Sequence, residues 1–240
     1  MPPRACERAL APHRHRIHAI FKVALDGTVL QQWPAPVRGI HGVTHDKRNN
    51  DGFYVNGNTR SINSGDIYKI TFAGVITSTL SYYAPNGTIW GMDYIVGTEP
   101  SLDLLSFINV NSNGIMVVTG ARANDAMRWY EGGLGLSAPS AAWFGCHVER
   151  YACDDGATLV FWTTRDGTTL ELQTWPFDRP PRQLPIPGTN AARGVTRTPR
   201  GDFYIADDQN DRVIHLSPTG ALIDSFAAPG TSPGDLSYGE

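Results

Sequence analysis

Residues with chemistry to offer cluster beside four glycines. His41, Thr44 and His45 flank Gly42, and Trp90 and Asp93 flank Gly91. Trp143, His147 and Glu149 surround Gly145, and Arg193 and Arg197 lie around Gly194. Imidazoles and carboxylates supply both metal ligands and proton relays. Two or three of these His residues with Asp93 and Glu149 would make an acid/base pair or a site for a divalent cation, Ca or Zn, with His147, Glu149 and Asp93 as its donors. Side chains alternate along a strand, so His147 and Glu149 share a face, as do Arg193 and Arg197, and each pair could converge on a common axis. The competing reading is structural: polar residues here hydrogen-bond neighbouring units or face a water-filled channel.

The elements that would position these residues are set by a repeat. The glycines at positions 42, 91, 145 and 194 recur at intervals of 49, 54 and 49 residues within similar segments, Ile-His-Gly-Val-Thr-His, Ile-Trp-Gly-Met-Asp-Tyr, Phe-Gly-Cys-His-Val-Glu and Arg-Gly-Val-Thr-Arg. Periods near this length belong to solenoids, propellers and arrays. The last unit has four short strand-like runs, starting at Ala192, Asp202, Arg212 and Ala221, parted by Pro-Arg-Gly, Asp-Gln-Asn-Asp and Pro-Thr-Gly. Such residues favour turns, so the unit is expected to form a four-stranded blade with hairpin connections. Gly42, Gly52, Asp66 and Val75 start the same plan in the first unit, and Asp166-Gly167 is a hairpin signal in the third.

Residues 20–38 match the second half of the first unit around Gly27 and Gly74, which predicts an outer half-blade. Full blades are expected over 39–88, 89–136, 137–188 and 189–234, with 235–240 starting a next inner strand at Gly239. The fold expected is therefore an all-β propeller of four complete four-stranded blades plus a partial fifth, or a fragment of a larger propeller, with an unsealed seam. The innermost strand of each blade would line the channel and carry the residues beside the glycines.

Composition agrees and narrows the function classes. The 240 residues are 41% hydrophobic and 18% charged, with 25 Gly and 17 Pro, which suits short strands and tight turns. A net charge of −3 offers no basic face for phosphate, so no nucleic-acid partner is expected. No apolar run is long enough for a membrane-spanning helix. Residues 1–19, with Arg4, Arg8, Arg14 and Arg16, lack a signal peptide's apolar stretch and are expected to be a disordered or mis-assigned leader. Cys146 and Cys153 would form a disulfide if they faced each other across a bend, their Cα atoms within about 7 Å, and the pair would place the chain in an extracellular or periplasmic compartment.

The run Arg193-Gly-Val-Thr-Arg-Thr-Pro-Arg-Gly-Asp-Phe-Tyr-Ile-Ala-Asp-Asp-Gln-Asn-Asp-Arg-Val-Ile-His-Leu-Ser-Pro-Thr-Gly resembles the NHL repeat, and the match is partial over Gly42 to Gly74. The resemblance implies a propeller of NHL-like or SMP-30-like type, a group that includes binding platforms, lactonases and lyases. The lactonase-like members hold a divalent cation on a Glu, Asn and Asp set from separate inner strands. Glu149 and Asp93 answer two of these, and no inner-strand Asn answers the third.

Three further features complete the reading. Asp207, Asp208, Asn210 and Asp211 cluster hard oxygen ligands, but they lack the spacing of a calcium-binding EF-hand loop and fall where a hairpin is expected. Asn86-Gly-Thr88 is a glycosylation acceptor pattern. Tyr82, Tyr83, Trp90, Trp129, Tyr130 and Trp143 lie near inter-blade connections, where rings stack on sugars or anchor a partner. These aromatics make a binding platform for a protein or carbohydrate the first expectation. The alternative is a metal-dependent hydrolase or lyase at the channel through His41, His45, Asp93, His147 and Glu149.

Overall fold

Short apolar runs broken by Gly, Asn, Asp and Pro favour strands and hairpins over helices. The computed structural model has no helix among its described residues, which are 19–239 without 36, 38–39, 62–63, 84–88, 97–103, 110–113, 120–126, 131–142, 154–155 and 175–180. Asn86-Gly-Thr88, Glu131–Ala142 and residues 1–18 fall outside them. The strands β1 (Ala19–Val23) and β2 (Val29–Pro34) form a two-stranded sheet. Four antiparallel sheets of four strands follow, each running in simple chain order.

The first sheet holds β3 (Val43–His45), β4 (Gly52–Ser61), β5 (Ser64–Thr71) and β6 (Ile76–Tyr83). The second holds β7 (Ile89–Ile95), β8 (Leu104–Asn109), β9 (Gly114–Thr119) and β10 (Met127–Tyr130). The third holds β11 (Trp143–Cys153), β12 (Gly156–Arg165), β13 (Thr169–Thr174) and β14 (Arg182–Pro185). The fourth holds β15 (Ala192–Arg197), β16 (Phe203–Asp207), β17 (Arg212–Leu216) and β18 (Leu222–Ala227).

The first strands of successive sheets meet: β3 packs on β7, β7 on β11 and β11 on β15. Each has a ladder partner on one edge only, so its other edge faces the line along which the four converge. This is the radial arrangement of a β-propeller. The hairpins β1–β2, β5–β6 and β17–β18 each turn on a glycine at positive φ, Gly27 (+86°), Gly74 (+80°) and Gly220 (+87°), the left-handed conformation that glycine adopts without cost. The β1–β2 pair thus copies the outer hairpin of a full sheet.

Apolar residues fill the spaces between sheets. Trp162, Leu170 and Leu184 of the third sheet pack with Val195, Phe203, Ile205, Ile214 and Leu216 of the fourth. The two-stranded sheet lies against both the first and the last sheet. Trp33 is buried with Phe53, Val55 and Ile70, its ring edge-on to Phe53 at 5.1 Å, and its indole N–H donates to the Phe72 carbonyl at 2.7 Å. On the other side, Phe226 of β18 packs so close to Gly27 that a Cβ there would lie 2.5 Å from its ring.

Two expectations are corrected. Residues 233–239 form no strand where the start of an inner strand was expected; the segment docks through side chains and one backbone N–H, as described below. Cys146 and Cys153 lie on the single strand β11, opposite Thr163 and Gly156 of β12. Seven residues of extended chain separate their Cα atoms by about 23 Å, far beyond disulfide reach, because the chain turns after Cys153 and not between the two.

Candidate functional site

The convergence of first strands gives the molecule an axial end built from polar groups. An innermost strand has no ladder on its inner edge, so the N–H groups there need other acceptors. In the first and second sheets one side chain supplies them. Asp235 Oδ2 accepts from the Val43 N–H at 2.9 Å and from the Met92 N–H at 3.0 Å. The Gly91 bulge, where the β7–β8 register shifts between Trp90 and Met92, precedes the second donor. Two residues along, Ser237 Oγ accepts from the His45 N–H at 3.1 Å and lies 3.4 Å from Thr44 Oγ1. The Tyr238 N–H donates to Thr196 Oγ1 on β15 at 2.9 Å. Segment 233–239 thereby ties β3, β7 and β15 together.

Beside this segment, Asp93 is buried on β7. Its Oδ1 accepts from Lys47 Nζ at 2.9 Å, from Thr44 Oγ1 at 3.3 Å and from the Tyr94 N–H at 2.7 Å. The Lys47 side chain remains 30% exposed while that of Asp93 is 4% exposed, so the ion pair reaches from solvent into the interior. Burial pushes the Asp235 carboxyl well above the ordinary carboxylate range. The N–H groups of Val43, Met92 and Leu236 work against that shift, and the Asp93 charge adds to it. Asp235 Oδ1 is buried with no hydrogen-bond partner.

The residues singled out by sequence separate into groups. Asp93 and Thr44 do meet at the axial end. His45 reaches it with its backbone N–H; its ring lies beside Gly239, where a Cβ would stand 3.2 Å from Nδ1, stacks on Phe72 at 6.1 Å and places Nε2 2.9 Å from Asn50 Oδ1. His41 contributes backbone, its N–H to Asn56 Oδ1 and its carbonyl to the Gly91 N–H. Arg193 and Arg197 do not converge. Arg193 pairs with Asp208 at 3.4 Å, while Arg197 lies over Trp162 and Phe203 and donates to the Gly201 carbonyl. The cause is the register shift between Ala192 and Val195, which breaks the alternation that would have aligned them.

Trp90 lies on β7, and Trp143, His147 and Glu149 on β11, the neighbouring innermost strand. Among the described residues no group of three His, Cys, Asp or Glu could hold a metal ion. The acidic cluster is a hairpin: Asp207 is bound by Asn210 and Arg212, Asp208 by Arg193, and Asp211 accepts from the Ser232 N–H.

Lys47, Ser237 and Asp235 escaped the sequence reading. Lys47 lies in a turn, and the other two contact strands 143 to 193 residues away. The one local signal for Asp235 was its place where an inner strand was expected.

No protein-family model matches the chain, and no curated protein matches it in sequence. Among solved structures, a virginiamycin B lyase from Staphylococcus aureus is similar at 17% identity and a TM-score of 0.49, over 92% of this chain and 67% of that one. A streptogramin B lyase is similar at 17% identity and a TM-score of 0.48, over 81% of this chain and 56% of that one. A protein of unknown function from Bacteroides caccae is similar at 13% identity and a TM-score of 0.47, over 83% of this chain and 65% of that one. The chain spans little more than half the length of the second and about two thirds of the others.

Proposed function

We propose that the chain is a five-position propeller, one position incomplete, that acts as a hydrolase or lyase at its axial end. The observation that carries this reading is Asp93. It is a buried carboxylate on an innermost strand, paired to a lysine that reaches solvent, and β11 with His147 and Glu149 packs on the same strand. The proposed acid–base role rests on this carboxylate, held by a lysine that reaches solvent.

A metal-dependent form needs His147 and Glu149 as the remaining ligands, because Asp93 already shares one oxygen among three donors. Elemental analysis of the purified chain, against a variant carrying His147→Ala and Glu149→Ala, tests it. A divalent metal at stoichiometry in the first and lost in the second is expected, and its absence from the first sinks the metal form.

Asp93→Asn keeps the shape but removes the charge. It should cut turnover of ester and lactone substrates by about 10²–10⁴-fold with the fold intact, as loss of a general acid or base does. Full activity in Asp93→Asn, or no turnover of any such substrate by the wild type, would overturn the reading.

A second reading, a binding platform, is favoured by exposed apolar residues on the outer hairpins. Val29 and Leu30, Val75 and Ile76, and Leu222 and Ile223 are each 41–58% exposed and stand just after the turn glycines of the two-stranded, first and last sheets, in that order. Leu30→Asp with Leu222→Asp should abolish capture of a defined protein partner while leaving turnover intact. Unchanged capture would remove this reading.

A further inference from the structure

The geometry points to an acceptor-oxygen seat at the axial end: the N–H groups of Val43 and Met92 converge to hold one carbonyl oxygen of an incoming uncharged carbonyl compound, and Asp235 holds that place now. This deepens the proposed function, on which it rests, by naming the group through which the site takes its ligand. Two backbone N–H groups from strands of different sheets lie 2.9 and 3.0 Å from a single oxygen. That is the distance range at which paired donors polarise a carbonyl and stabilise charge developing on its oxygen. Both donors sit on inner strand edges that no ladder can satisfy, so the seat persists whatever occupies it.

The occupant shows the kind of group the seat takes. Asp235 Oδ2 receives both bonds, while Oδ1 is buried without a partner, so one oxygen is recognised and the second is not. The second oxygen is buried with no donor, so an ionised carboxylate would leave charge unpaired there. A neutral carboxylic acid, ester or amide suits it better than an ionised carboxylate. Segment 233–239 passes over Gly194 so closely that a Cβ there would lie 2.4 Å from the Asp235 Cα, and it is held at the axis further by Ser237, through the His45 N–H and Thr44 Oγ1, and by the Tyr238 N–H on Thr196. An entering carbonyl group therefore has one competing oxygen to displace.

Two full-length variants test this. Asp235→Asn retains a carbonyl oxygen without charge and should keep the wild-type melting temperature and the slow exchange of the Val43 and Met92 amides. Asp235→Ala should lose the slow exchange, and formamide, which restores a neutral carbonyl of the removed size, should recover it at concentrations about tenfold lower than formate. Asp235→Asn as impaired as Asp235→Ala would overturn the proposal, as would failure of formamide to protect these two amides or equal protection by formate. Should Asp235→Ala not fold, the Asp235→Asn comparison decides alone. All these readouts are independent of turnover, so a failed seat leaves the Asp93→Asn test standing, and a failed Asp93→Asn test leaves the seat standing.

Discussion

Asp46 and Asp207 are buried carboxylates held by donors from their own sheets, in contrast to Asp235. Burial pushes Asp46 up, but Lys69 Nζ at 2.6 Å and the Asn49 side chain and N–H outweigh it and hold the group below its ordinary 3.8. Asp207 is similar, with burial offset by Asn210 and Arg212. A carboxylate held down in the folded state stabilises the fold above its unfolded value and loses that contribution as pH falls through the folded one. Asp46→Asn should therefore cost about 3 kcal/mol near neutral pH, and the gap to wild type should close as pH drops below 3.8. Urea titrations from neutral pH to pH 2 read this; a gap independent of pH would contradict it.

Asp235 has the opposite sign. Its raised value means that docking of the segment is strongest in acid and weakens as pH rises from the ordinary 3.8 through the folded value. At the same scale, Gly194→Ala should cost about 1–3 kcal/mol by forcing the segment off β15. The Asp235 amide would then exchange faster while the β16–β17 amides stay protected, and uniform loss across the fourth sheet would count against this cause.

Among the elements, the sheets were legible in the sequence, and for a physical reason. Turn glycines and apolar runs act locally, so Gly27, Gly74 and Gly220 announce the same hairpin without reference to the rest of the chain. Long-range partners leave no such mark: nothing near Val43 or Met92 signals an acceptor at Asp235. Strand alternation misled at β15, where the bulge before Val195 separates Arg193 from Arg197, and the condition for a Cys146–Cys153 disulfide, a bend between them, is not met because both lie on β11.

The β1–β2 pair depends on Trp33, which bonds across to Phe72 and packs on Phe53. Trp33→Ala should cost about 3–5 kcal/mol and free β1 and β2 to exchange ahead of β4 and β5. Simultaneous loss of all four strands would mean that the pair is no separate unit.

At the scale of the molecule, the ring is joined by unlike contacts. Aromatic packing binds the two-stranded sheet to the first and last sheets at the periphery, and segment 233–239 links β3, β7 and β15 at the axis. A full inner strand would offer a ladder to neighbours within its own sheet; this segment instead offers side-chain oxygens and one N–H to three separate sheets. The axial end is thus closed by contacts that can be exchanged singly, next to the Asp93–Lys47 pair.

The most direct measurement is native-state hydrogen exchange of the wild-type chain at the Val43 and Met92 amides. These groups have no ladder partner, so only a seated Asp235 can protect them. Exchange slowed together with the segment's Asp235 and Tyr238 amides, by at least about a hundredfold over an open amide, is expected for a docking free energy of about 3 kcal/mol. Exchange at the rate of exposed amides would show the axial end to be open and would contradict the site built upon it.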